Sequence, residues 1–254
     1  MKMHYAIALS GLLCSFSATA DTVFGIYLGA QGWNTDATGR FADEGDAGSL
    51  QSDFNFGDET KGSAYIAIEH FVPLVPNIKL QHSQMVSEGD TLLSSSFTFG
   101  GQAYNAQTTV FTQTDISSTD IILYYELFDN DLISFDLGVN AKVIDGDFLV
   151  RSQSSGSQSQ EALSGVVPMA YSRLEFGLPF SGLGAYAEGS FLSVGSHTLS
   201  DYQVAVTYSF IESLAIDMTL QAGFRDVTAE LDDLDGITTD LSFDGAFLGL
   251  EVHF

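Results

Sequence analysis

The stretch "ISFDLGVNAK", residues 133–142, sets Ile133, Phe135, Leu137, Val139 and Ala141 at alternate positions, with Ser134, Asp136, Gly138, Asn140 and Lys142 between them. A period of two sorts these sets onto opposite faces of an extended strand; a helix, with its period of 3.6, would scatter them around its axis. "LAIDMTLQAGFR", residues 214–225, repeats the pattern with Leu214, Ile216, Met218, Leu220, Ala222 and Phe224. "YQVAVTYSF", residues 202–210, does so again with Tyr202, Val204, Val206, Tyr208 and Phe210. Between the apolar positions stand mostly small polar residues.

Extended along the chain, this reading predicts ten strands near 22–33, 62–71, 77–86, 119–127, 132–143, 167–178, 183–193, 199–210, 214–225 and 241–254. Connectors 72–76, 128–131, 179–182 and 211–213 are tight, with Pro73, Pro76, Asp129, Asn130 and Pro179 as turn formers. Connectors 34–61, 87–118, 144–166 and 226–240 are long, and 194–198 is the short member of that set. A tilted strand of about ten residues crosses a bilayer, and membrane barrels have short periplasmic turns and longer outer loops. The expectation is an all-β fold: a closed antiparallel transmembrane β-barrel of about ten strands, with eight to twelve as outer bounds. "SSFTFGGQAYNAQTTVFTQ", within 87–118, alternates around Gly100 and Gly101 like a hairpin. Both its faces are polar, so it reads as an extension above the membrane; were it to span, the strands would number twelve. A soluble barrel also alternates, but it exposes a strongly charged face. Here charge gathers in the long connectors, while Phe24, Tyr125, Phe176, Tyr202, Phe210, Phe224 and Phe254 fall towards strand ends, where interfacial girdles form.

The first residues, "MKMHYAIALSGLLCSFSATADTV", join one cation, Lys2, to a short apolar run and to Ala18 and Ala20 ahead of Asp21. This pattern predicts a secretory signal peptide over 1–20, cleaved after Ala20, and a barrel domain over 21–254. Cys14, the single cysteine, falls within the discarded segment. The chain carries 33 acids against 8 Lys and Arg, a formal charge of −25. Nucleic acid is therefore excluded as a partner on electrostatic grounds.

The end of the chain, "FLGLEVHF", resembles the C-terminal strand signal of bacterial outer-membrane proteins, with Gly249, Val252 and Phe254 filling its glycine, hydrophobe and terminal-aromatic positions. The chain, through "LYYELFDNDLISFDLGVNAK" and "VPMAYSRLEFGLPFSGLG", also resembles small outer-membrane barrels of marine-type gamma-proteobacteria. The resemblance implies a location in the outer membrane and a fold, but no defined activity. It further implies lipid and lipopolysaccharide as surroundings, and the barrel-assembly machinery and periplasmic chaperones as partners.

By strand parity Lys79, Lys142, Arg173 and Arg225 point inward, together with Glu126, Asp136, Glu188 and Asp217. A tight turn over 179–182 sets Arg173 opposite Glu188. Inside a narrow barrel such groups must satisfy one another, so a closed polar core is expected in preference to a charged solute path. The outer connectors are acidic: Asp36, Asp43, Glu44, Asp46, Asp53, Asp58 and Glu59 in one, Asp226, Glu230, Asp232, Asp233, Asp235 and Asp240 in another. "LDDLDG" fails as an EF-hand loop, because Leu231 and Ser242 take ligand positions. The acids read as a solvated surface that takes divalent cations at most weakly; no metal site and no cofactor are expected. Catalysis at the outer rim would need a histidine near an acid or serine, and His197, with Ser196, Asp201 and the Asp232-Asp233 pair, is the one candidate. The expectation is a non-enzymatic outer-membrane barrel serving envelope structure or surface interaction with at most a narrow pore. A small-solute channel, and a barrel enzyme of the omptin or lipid-modifying kind centred on His197, are the alternatives.

Overall fold

The computed structural model describes residues 24–43, 53–130, 132–213, 215–234 and 236–254, the side chains of 233 and 234 excepted. The segment expected to be a signal peptide, with Ala18 and Ala20, lies outside the described residues together with Glu44, Asp46 and Asp235. Among the described residues every regular element is a strand: β1 (Phe24–Asp43), β2 (Phe54–Asn55), β3 (Glu59–His70), β4 (Asn77–Ser83), β5 (Val86–Leu92), β6 (Phe97–Phe99), β7 (Gln102–Tyr104), β8 (Thr109–Asp115), β9 (Ser118–Asp129), β10 (Ile133–Ser152), β11 (Gln158–Leu178), β12 (Leu183–Val194), β13 (His197–Glu212), β14 (Asp217–Leu234) and β15 (Ile237–His253). Ten of them, β1, β3, β4 and β9 to β15, pair antiparallel in an unbroken ring closed by β15 against β1 and β10 against β11. The fold is a closed ten-stranded antiparallel transmembrane β-barrel. Closure removes free edges, which hydrocarbon could not hydrate.

One band of the outer wall is apolar. On β10 it runs from Ile133 to Val143 with Leu137 and Val139 exposed, and on β14 and β15 it includes Leu220, Phe224, Leu248 and Leu250. That height matches the roughly 9–11 residues a tilted strand needs to cross a bilayer. Phe24, Phe128, Phe176, Phe210 and Phe254 ring the tight-turn end, and Phe191, Tyr202 and Phe224 the other. Phe254 continues the closing ladder past β15, exchanging two backbone hydrogen bonds with Ile26 at 3.0 and 3.2 Å.

Beyond the band the long connectors are built largely as strand among the described residues. β10 and β11 run on to a turn at 153–157, while β14 runs out to Leu234 and β15 returns from Ile237. β4 with β5, and β9 with β8, form one long hairpin that keeps its register across the break between them. Its outer part, β5 with β8 and the β6–β7 tip, lies beyond the band and does not span it, so the strands number ten.

In this outer half the apolar side of each strand changes faces. On β14 the exposed apolar residues are Leu220 and Phe224; past Asp226 the buried ones are Val227, Ala229 and Leu231. On β10 the exposed pair Leu137 and Val139 gives way to buried Ile144, Phe148 and Val150, and on β15 Leu248 gives way to Phe243 and Leu241. Side chains still alternate, but the surroundings are reversed: lipid lies outside the band, water outside the extension. The buried row fills the bore together with Leu163 and Leu199. The β6–β7 tip closes the end with Phe97, Phe99 and Tyr104. Phe41 packs there against Phe54, Phe99 and Phe148 at ring separations of 4.8, 5.0 and 4.5 Å, within the range where aromatic pairs attract.

Candidate functional site: the charged lumen and its cavity

Beneath this apolar plug the inward face turns polar, and its side chains fall into two ionic layers. The outer layer joins β9, β10, β13 and β14. Lys142 reaches Asp120 at 2.9 Å and Asp201 at 3.0 Å, while Arg225 grips both oxygens of Asp201 at 2.9 and 2.8 Å. Ser83 accepts from Arg225 at 3.2 Å, and Asn140 donates to Asp120 at 2.6 Å. Lys142 and Arg225 are each 1% exposed. Two cations meet two carboxylates, so the layer is neutral, as a buried layer must be.

The inner layer centres on Glu188, which takes Lys79 at 2.5 Å and Arg173 at 2.9 Å; Arg173 also holds Glu175 at 2.7 Å. Arg173 sits directly across from Glu188 in the β11–β12 pairing. Its guanidinium lies over the Tyr186 ring at 4.3 Å, and Lys79 lies over the Tyr65 ring at 4.4 Å. Beside these pairs Gln31, Gln221, Tyr186 and Tyr65 share a web of neutral hydrogen bonds across the bore.

Between the inner layer and the tight-turn end lies a cavity of about 220 Å³. Its wall includes Tyr27, Tyr65, Tyr124 and Tyr171, the carboxylates Glu69, Glu126, Asp129, Asp136, Glu175 and Glu251, and the two cations Lys79 and Arg173. Tyr124 donates to Glu69 at 2.6 Å, and Tyr65 donates to Glu251. Asp136 is only 5% exposed, and its Oδ1 is buried with no hydrogen-bond partner.

Of the residues singled out in the sequence, Lys79, Lys142, Arg173, Arg225 and Glu188 form these layers, and Glu126 and Asp136 line the cavity. Asp217 belongs elsewhere: its carboxylate turns back to accept from the Ser213 amide at 2.8 Å and lies 3.6 Å from His253. As the first residue of β14 it caps a turn at the rim, on the side of Thr219 and Glu251 but outside the ionic layers. Asp120 and Asp201 complete the outer layer and were absent from the expected network, although their parity, flanked by outward Ile121 and Tyr202, carries the signal. Nearness in sequence groups Asp201 with His197. It points away into the bore, and His197 Nδ1 instead accepts from the Asp232 amide at 3.2 Å. Gly249 packs its backbone beside Gln31 and Gln221, where a Cβ would approach within 2.9 Å of Gln31; Val252 pairs with Leu28 and Met218. Among the described residues no group of three or more His, Cys, Asp or Glu is placed to hold a metal ion.

No protein-family model and no curated protein sequence matches the chain. Among solved structures, the outer-membrane protease OmpT from Escherichia coli is similar at a TM-score of 0.53 and 11% identity, over 92% of this chain and 98% of that one. The transport unit of the autotransporter AIDA-I from Escherichia coli aligns at a TM-score of 0.44 and 7% identity, over 95% and 92%. A FadL homologue from Pseudomonas aeruginosa aligns at 0.38 and 9%, over 92% and 90%. At 11% identity the likeness to the protease is one of fold, and in fold this chain is an outer-membrane-type β-barrel.

Proposed function

We propose that the chain is an integral protein of the bacterial outer membrane, a sealed, non-enzymatic barrel that holds a rigid acidic head of β-structure above the outer leaflet. The single observation that carries this reading is the filled bore. A neutral ionic layer and then an apolar plug lie in series, with Lys142 and Arg225 in the first and Phe99, Phe148 and Phe243 in the second almost wholly buried. The apolar band with its two aromatic rings supports the membrane location, and the short turns at one end support a periplasmic orientation for that end. Lipid and lipopolysaccharide would surround the band, and acids of the outer extension would take divalent cations weakly. The barrel-assembly machinery and periplasmic chaperones would recognise the closing strand through Gly249, Val252 and Phe254. A role in envelope structure or surface contact follows from the rigid head, and His197, turned to a backbone amide, gives no support to rim chemistry.

Planar-bilayer recording on the purified protein tests the seal: a flat current is expected, and resolved steps would refute it. Turnover of peptide or lipid A that disappears on His197→Ala would replace the non-enzymatic reading.

A further inference from the structure

Charge in the lumen is unevenly spent. The outer layer balances two cations with two acids, and Lys79 and Arg173 are both consumed by Glu188 and Glu175. Among the described residues no lysine or arginine forms an ion pair with Glu69, Glu126, Asp136 or Glu251, which share the cavity wall. Tyrosine hydroxyls answer Glu69 and Glu251. Asp136 is nine-tenths buried and has an oxygen with no partner, an arrangement that costs several kcal/mol unless something compensates it.

Beyond the sealed-barrel reading, and independent of it, we propose that this cavity is a binding site for a small organic ammonium ion, an aliphatic di- or polyamine entering from the tight-turn end. The chemistry is already written in the site by Lys79, whose ammonium rests between the Tyr65 ring and a carboxylate of Glu188. Tyrosine and carboxylate meet again along the wall, where Tyr124 donates to Glu69 at 2.6 Å and Tyr171 to Glu188 at 3.2 Å, and Tyr27 lies among the same residues with one face stacked on His253. Tyrosine faces attract ammonium groups, more so where water is scarce. A bare metal ion fits less well, since among the described residues the acids form no ligand-sized group. The size suits a short chain: about 220 Å³ is below the roughly 300–1,000 Å³ of pockets for drug-sized ligands. Several separated acids favour a ligand with more than one positive charge.

The test is isothermal titration of spermidine into the full chain in detergent, with magnesium chloride as competitor. Saturable uptake is expected, weakened roughly tenfold or more by Asp136→Asn and by Glu126→Gln, and unchanged by Glu161→Gln on the outer extension. The two cavity variants are separate reporters, so misfolding of one, seen by circular dichroism, leaves the other to decide. No heat with wild-type protein at about 1 mM spermidine would overturn the proposal. So would equal loss in the Glu161 variant, or displacement by equimolar magnesium, each of which marks diffuse attraction to acid. Bilayer current bears on the seal and not on this site, so the two readings fail separately.

Discussion

The outer ionic layer allows a stability prediction with a magnitude. In Asp201→Ala, the carboxylate that accepts from Lys142 Nζ at 3.0 Å and from Arg225 Nε and an Nη at 2.9 and 2.8 Å is lost. Two cations, each 1% exposed, then face Asp120 alone. Hydrogen bonds to charged groups contribute about 1.5–3 kcal/mol each, which for three suggests about 5–9 kcal/mol. Deleting one partner of a buried ion pair costs about 3–5 kcal/mol, and the lower figure is preferred because neighbours and water relax towards the orphaned charge. For a domain of this size that is a fall of about 6–20 °C in midpoint. The single tryptophan, Trp33, lies 5.0 Å from the Arg225 guanidinium and reports the layer directly. Urea unfolding followed by its fluorescence in lipid vesicles is therefore the assay. Asp201→Ala with Lys142→Met removes one cation with its acid and should recover about 2 kcal/mol of the loss. A single-variant cost below about 1 kcal/mol, or strict additivity in the double variant, would show that the layer is not a coupled buried network.

Two further outcomes follow from the outer extension. Phe41→Ala empties the centre of the aromatic plug; a loss of about 3–5 kcal/mol is expected, with protease cutting the outer hairpins while the membrane band stays protected. Asp226 stands just beyond the band, opposite Asp244 in the β14–β15 ladder. Its carboxyl is held above the ordinary aspartate range, first by partial burial and then by the negative charges of Asp244 and Asp201, against the opposing bonds from Thr228 and Tyr202. A raised folded-state value means the folded protein binds the proton more tightly. This residue's contribution to stability therefore declines as pH rises through and above about 4. Asp226→Asn should flatten that decline, raising the thermal midpoint near neutrality and leaving it unchanged at lower pH; a lower midpoint at neutral pH would refute the sign.

Much of this molecule is legible in its residues, and the illegible part has one cause. The alternation in 133–142 and 202–210 specifies extended chain and the faces its side chains take. The tight turn at 179–182 specifies the register that sets Arg173 against Glu188. The acids of the cavity could also be placed inward by parity; parity does not say which of them join a network, and Asp217, at a strand's first residue, caps its turn at the rim. What parity does not reveal is the medium each face meets. Lipid and a packed core are both apolar, so Leu220 facing hydrocarbon and Val227 facing the plug obey the same rule with opposite sense. An outward apolar row that stops reads as the end of a strand, which makes loops of 144–166 and 226–240, most of whose described residues the structure builds as strand. Only closure of the ring decided that apolar side chains fill the bore above the band, that Asp201 belongs to Arg225 and Lys142, and that among the described residues no lysine or arginine forms an ion pair with Asp136. These are contacts between residues far apart in the chain, and a local pattern carries no information about which distant side chain will arrive to share a charge.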